Sequence, residues 1–155
     1  AKYSMEAPLL IGASLAGATA EVLEDLSAFG LPLGIAFQLR DDLLGVFGDS
    51  EVTGKPSGDD LREGKRTALI ALGEQSMPPG AQSLFNELLG DRSLTGEQIE
   101  VLQSTLRQTG AVEEVEALID QYAEDALIAL ESARIAPGAK KELSRLAAAV
   151  TQRQS

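Results

Sequence analysis

The sequence predicts an all-α fold, a bundle of helices, on three observations. Alanine and leucine are abundant while aromatic residues make up only 4% of the chain, so helices packed on small and branched side chains are expected. Apolar residues recur at spacings of three and four, as in Val112, Val115, Ile119, Tyr122, Ala126 and Leu130. Short clusters of glycine and proline separate these stretches. With 155 residues and 44% hydrophobic content the chain can bury one core, and a single domain over residues 1–155 is expected.

The elements follow in order. Residues 5–18 are apolar and small, and Gly12, Ala13, Ala16, Gly17 and Ala18 would let another helix approach closely, so this segment is expected to be buried. A second helix begins near Ala20 and runs to about Phe47, with Gly30-Leu31-Pro32 as a point of interruption. Gly48, Gly54, Pro56, Gly58 and Gly64 among charged residues read as a loop over 48–64. Helix resumes near Lys65 and breaks at Ser76-Met77-Pro78-Pro79-Gly80. A short helix covers about 81–89, and Gly90-Asp91-Arg92-Ser93 turns the chain again. Thr95 and Gln98 have capping-box spacing ahead of Ile99, Leu102 and Leu106. Gly110 stops that helix, an amphipathic helix fills 111–133, and Pro137-Gly138 ends it. A last helix, about 139–152, closes on Leu143, Leu146, Ala147 and Val150.

Composition removes whole classes of chemistry. A formal charge of −11 would repel a phosphate backbone, which argues against nucleic-acid binding. With no cysteine and no histidine, disulfides, thiolate catalysis and imidazole or cysteine metal sites are excluded, and a reducing compartment is compatible. No apolar run reaches the roughly 20 residues that span a bilayer, and no basic-then-apolar leader opens the sequence. A cytoplasmic protein without a transmembrane segment is expected. The first residue is Ala1 and no start signal precedes it, so the chain reads as a piece of a longer protein.

The richest chemistry lies in residues 37–67. Setting Asp41 at zero and advancing about 100° per residue places Gln38 near 60°, Asp42 near 100°, Gly45 near 40° and Asp49 near 80° if the helix extends that far. Leu33, Ile35, Phe37, Leu39, Leu43, Leu44, Val46 and Phe47 fall on the other side, with Arg40 breaking that face. The expectation is a packed face opposite a polar one, with Gly45 leaving room beside the carboxylates. Two neighbouring aspartates repel when ionised, and a cation resolves the conflict. Magnesium suits them, because it takes one or two carboxylates together with substrate phosphates. Adjacent aspartates are common on solvated helix faces, and surface lysines are common too. Here Gly54-Lys55 and Gly64-Lys65 follow directly, where two ammonium groups could fold back over the carboxylates to meet a diphosphate.

These residues resemble the trans-isoprenyl diphosphate synthases, or polyprenyl synthetases. Their second aspartate-rich region reads approximately Phe-Gln-x-x-Asp-Asp-x-x-Asp, then Gly-Asp, Gly-Lys, Gly-x-Asp and Gly-Lys-x-Thr. Phe37, Gln38, Asp41, Asp42, Gly48, Asp49, Gly54, Lys55, Gly58, Asp60, Gly64, Lys65 and Thr67 stand in that order. Upstream, Tyr3-Ser4-Met5-Glu6-Ala7-Pro8-Leu9-Leu10-Ile11-Gly12-Ala13 looks like the helix before the motif helix. The later helices are similar more weakly. The resemblance covers the C-terminal half of the family's single domain, of the geranylgeranyl or farnesyl diphosphate synthase kind, and implies a helical bundle of the isoprenoid synthase type. One departure is Gly45 where the motif has its third aspartate, which looks like an actinobacterial variant. The family's first Asp-Asp-x-x-Asp motif, its arginines and a Lys-Thr pair are not among these residues.

The resemblance implies a magnesium-dependent prenyltransferase that joins isopentenyl diphosphate to an allylic prenyl diphosphate. It implies Asp41, Asp42 and Asp49 as metal residues, with Asp41 the direct ligand and the other two acting through water. Lys55 and Lys65 would contact the allylic diphosphate, Gln38 would hydrogen-bond or steady the cation, and Phe37 would line the cavity or pack in the core. A homodimer is implied, and residues 1–155 alone are expected to show little or no turnover. Two other readings stand beside this one: a non-catalytic regulatory subunit of a prenyl diphosphate synthase, and a terpene cyclase.

Overall fold

The computed structural model describes residues 1–49, 54 and 56–151, and among them it holds helices and no strand. A π-helical turn, Lys2–Glu6, leads into α1 (Ala7–Leu15) and α2 (Ala20–Phe47). Then come α3 (Asp59–Glu63), α4 (Ala68–Ser76), α5 (Pro79–Leu88), α6 (Gly96–Gln108), α7 (Ala111–Ser132) and α8 (Pro137–Thr151). The all-α expectation holds. The described residues form two compact units, residues 1–40 with 118–151, and residues 41–117.

In the first unit, Phe29, Leu33, Ala126, Leu130, Ala147 and Val150 form the core, and Met5, Leu9, Phe37 and Leu143 pack against it. The spacing of four within the pairs 29/33 and 126/130 puts the two members of each pair on one face of their helix. Burying such a leucine, valine or phenylalanine contributes about 1.5–3 kcal/mol. α2 does not break at Gly30-Leu31-Pro32: Pro32 sits inside the helix. An internal proline costs about 3 kcal/mol, and the full burial of Phe29, Leu33 and Ala36 around it offsets that cost.

Residues 5–18 correct an expectation. α1 buries no residue completely, and Ile11 and Leu15 are exposed. The close approach is made by α2 instead. A Cβ at Gly30 would lie 3.0 Å from Leu9 Cδ1 and 3.1 Å from Glu6 Cα, whereas Gly12 and Gly17 have nothing within 4 Å. The small residues of α1 are therefore not what admits its neighbour. By length and composition α2 could cross a membrane, unlike anything expected from the sequence, but 39% of its apolar window is buried inside the protein.

Arg134 ties the start of α2 to the turn before α8. Its Nε and Nη2 donate to Asp25 at 2.8 and 2.9 Å, and its main-chain N–H donates to Asp25 at 2.8 Å. These bonds hold the Asp25 carboxyl at about 2, against an ordinary 3.8. A lowered carboxyl stabilises the fold fully above the ordinary value of 3.8, and the contribution is lost as pH falls through about 2. Asp25→Asn is accordingly expected to lower stability at pH 6, with the difference from the unaltered protein closing near pH 2. Denaturant melts at the two pH values check this, and an equal difference at both would refute it.

The second unit is built around α6, against which α4 and α5 pack. Leu102 and Leu106 are fully buried and Ile99 nearly so. The expected capping box is present: Gln98 N–H donates to Thr95 Oγ1 at 3.3 Å, and Thr95 N–H donates to Gln98 Oε1 at 2.9 Å. The loop expected over 48–64 contains α3, and the next helix starts at Ala68 instead of Lys65. Gly58 and Gly64 bracket α3 with φ of 75° and 67°. Their left-handed backbone lets a five-residue helix begin and stop within a glycine-rich stretch. Likewise α5 begins at Pro79 and α8 at Pro137, because proline at the first helical position needs no N–H partner.

Candidate diphosphate and metal site

The end of α2 separates its two aspartates. Asp41 is exposed, while Asp42 is 6% exposed and turned into the second unit. The two carboxylates on the polar face expected from the helical phase thus differ, one open to solvent and one buried. Asp49 lies two residues past the helix end at Phe47, so its expected phase on that face does not apply, and it is exposed. Phe37 and Gln38 are half-buried in the first unit, where Phe37 packs against the core cluster. Lys55 lies outside the described residues. Arg40, which broke the apolar face, donates from Nε to the Thr151 main-chain oxygen at 3.0 Å.

Lys65 gathers the buried charges. Its Nζ donates to Asp42 Oδ1 at 3.1 Å and to Asp60 Oδ2 at 2.9 Å. The side chains of Asp42 and Asp60 are 8% and 9% exposed, that of Lys65 39%. Burial pulls the Lys65 ammonium down, but the bonds to Asp60 and Asp42 outweigh it and raise its pKa above the ordinary value. The cation that the aspartates call for is already supplied in part by the chain itself. Gly64 makes the reach possible: it stops α3 in a left-handed turn, and Lys65 N–H closes on the Asp60 carbonyl at 3.0 Å. Thr67, the last motif residue, caps α4 by accepting from Ile70 N–H at 3.3 Å, a structural task.

Asp60 is the site residue that reading by motif role passed over. The room beside Gly45 is real, and the Asp60 carboxylate fills it: a Cβ at Gly45 would meet Asp60 Oδ1 at 2.8 Å and its other carboxylate atoms closer still. Gly45 was the available signal, since a glycine in a packed helix marks close approach of something else. Gly45→Ala is expected to cost about 1–3 kcal/mol through overpacking. Thermal melting checks this, and an unchanged midpoint would mean that Asp60 moves aside freely.

Among the described residues no three carboxylates come close enough to hold a metal ion by themselves. That suits magnesium bound jointly with phosphate, which asks for one or two carboxylates and keeps several waters. Asp41 offers an exposed hard oxygen donor for it, and Asp42 faces Lys65.

Comparison with known proteins places the chain among relatives. The sequence model of the polyprenyl synthetase family matches residues 1–106. The chain is 35% identical over 142 residues to the geranylfarnesyl diphosphate synthase of Aeropyrum pernix, covering 92% of this chain and 43% of that protein. It is 54% identical over 63 residues to the (2E,6E)-farnesyl diphosphate synthase of Mycobacterium tuberculosis, covering 41% of this chain and 18% of that one. The crystal structure of geranylgeranyl pyrophosphate synthase from Corynebacterium glutamicum, complexed with isoprenyl diphosphate and magnesium, matches with a TM-score of 0.94 at 44% identity. That match covers 98% of this chain and 43% of the neighbour, so the chain spans less than half the length of such relatives. With the motif, the fold and the family match in agreement, the chain belongs to the polyprenyl synthetase family.

Proposed function

We propose that the protein is a magnesium-dependent trans-prenyltransferase, that these residues are the C-terminal part of one polyprenyl synthetase domain, and that they carry half of its diphosphate clamp. The observation that carries the reading is the exposed Asp41 carboxylate on the motif helix, with the Lys65 ammonium anchored on Asp42 one residue along. In the reaction, the C–O bond of an allylic diphosphate breaks and the diphosphate leaves with the electron pair. The C4 alkene of isopentenyl diphosphate attacks the allylic carbon, and loss of a proton restores a double bond.

Asp41 would hold magnesium, which when bound neutralises charge on the leaving diphosphate and is worth several kcal/mol in such reactions. Asp42 keeps Lys65 in place. An ammonium has three N–H donors, and two of those of Lys65 are committed to Asp42 and Asp60, leaving one to meet a phosphate oxygen. Because its pKa is raised, Lys65 stays a cation at any physiological pH. The same reading gives Lys55 to the diphosphate, Asp49 to a metal-bound water, and Gln38 and Phe37 to the allylic group. Apolar helical walls would exclude water from the cation. The protein is further read as a cytoplasmic homodimer, which exposed Tyr3, Ile11 and Leu15 would suit.

Product length is left open by the relatives, whose names span farnesyl, geranylgeranyl and geranylfarnesyl diphosphate synthases. Incubation of the intact protein with magnesium, isopentenyl diphosphate and dimethylallyl, geranyl or farnesyl diphosphate should give longer prenyl diphosphates. A cyclised hydrocarbon would make it a terpene cyclase. A regulatory subunit is the second reading, favoured by Gly45, which leaves two carboxylates on the motif helix where the motif has three. Elongation only on addition of a second subunit would establish it.

A further inference from the structure

Helix α6 carries Ile99, Gln103 and Arg107 at spacings of four, so the three side chains form one stripe along its surface. That stripe meets both the end of α2 and the start of α3. At its centre, Gln103 Nε2 donates to the Val46 main-chain oxygen at 2.6 Å and to Ser57 Oγ at 3.2 Å. A primary amide has two N–H donors, and these two oxygens account for both. Val46 stands in the last turn of α2, where carbonyls lack partners within the helix, so Gln103 is a C-terminal cap supplied from another helix.

The neighbours of Gln103 reinforce the tie. One turn earlier, Ile99 closes on Gly58, where a Cβ would lie 2.5 Å from Ile99 Cγ2. One turn later, the Arg107 guanidinium stands 4.5 Å from the centre of the Phe47 ring, a cation–π contact. Ser57 is also fixed from α3, through Arg62 Nη1 donating to its carbonyl at 3.0 Å. The last turns of α2 carry Asp41 and Asp42, and the segment that starts at Ser57 carries Asp60 and Lys65. Beside the direct bonds of Lys65 to Asp42 and Asp60, their separation is therefore also held from α6, by residues outside the aspartate and lysine motifs.

We propose that Gln103 is a positioning residue for the magnesium–diphosphate site: by bridging Val46 and Ser57 it fixes where Lys65 stands relative to Asp41 and Asp42. The inference rests on the prenyltransferase reading for the identity of the ligand. Misplacing a binding group by about 1 Å can cost up to a hundredfold in rate, so a tie of this kind matters at the site even though Gln103 touches no substrate.

The test is calorimetric titration of the intact protein with inorganic pyrophosphate and magnesium, beside elongation kinetics and thermal melting. Gln103→Met keeps the length and removes both donors. It is expected to bind magnesium pyrophosphate about tenfold more weakly, and to raise KM for the allylic diphosphate more than it lowers kcat. Gln103→Lys returns N–H donors at similar reach and should recover most of the binding. Ser57→Ala, at an exposed position, removes one of the two bonds and should weaken binding about threefold, which keeps the question decidable if Gln103→Met folds poorly. Unchanged binding in the folded variants, or a loss that Gln103→Lys does not restore, overturns the inference, as does an unaltered protein that binds no magnesium pyrophosphate. If the unaltered protein binds magnesium pyrophosphate but elongates nothing, prenyl transfer fails, while the binding comparison still decides the role of Gln103.

Discussion

Asp41→Ala in the intact protein is expected to lower kcat for prenyl elongation by about a hundredfold or more, the scale seen when a preorganised electrostatic partner is removed from a reacting centre. Asp49→Ala should cost far less. The difference follows from where the fold leaves each carboxylate. Asp41 projects from the motif helix into solvent, where a hydrated magnesium and a diphosphate can reach it. Asp42 is turned inward to Lys65, and Asp49 lies beyond the helix end. The magnesium concentration giving half the maximal rate should rise in Asp41→Ala and stay near its original value in Asp49→Ala. Equal, small losses in the two variants would place the metal elsewhere.

The fold was legible because its signals are local. Spacings of three and four marked α7, and the Thr95–Gln98 box marked the start of α6. Glycine and proline marked most breaks, but a local rule cannot weigh tertiary burial. Pro32 was read as a point of interruption, and the core around Phe29, Leu33 and Ala36 carries the helix through it. Residues 5–18 failed for the same reason: small apolar residues permit close packing without saying which helix makes it, and Gly30 of α2 does.

The site was legible in its ingredients more than its wiring. Helical phase put Gln38, Gly45, Asp41 and Asp42 on one side, yet about 100° between consecutive residues is enough to send one carboxylate to solvent and its neighbour inward. Room at Gly45 was anticipated from the sequence, and its occupant was not, since Asp60 arrives from fifteen residues further on. Gln103 lies 57 residues from Val46 and 46 from Ser57, a separation at which no periodic pattern points to a contact.

Lys65→Met tests the wiring most directly, with an expected loss of stability of about 2 kcal/mol. Removing one partner of a fully buried ion pair costs about 3–5 kcal/mol. The Lys65 side chain is 39% exposed, so solvent screening reduces that figure. For a chain of this size the loss corresponds to a fall of about 4–8 °C in melting temperature. What remains in the variant is two buried carboxylates, Asp42 and Asp60, sharing a site without their cation. The native Lys65 pKa is raised above 10.5, so its contribution is complete below 10.5 and fades as pH climbs through the raised value. The difference between Lys65→Met and the unaltered protein is thus expected to hold across neutral pH and to shrink as pH climbs through the raised Lys65 value. Adding Asp42→Asn and Asp60→Asn to Lys65→Met removes the stranded charges and should recover part of the loss. Denaturant melts from pH 7 to 11 would show the pattern. A loss that does not change with pH, or that the two asparagines leave untouched, would mean that Lys65 stabilises by packing its aliphatic stem instead of by its charge.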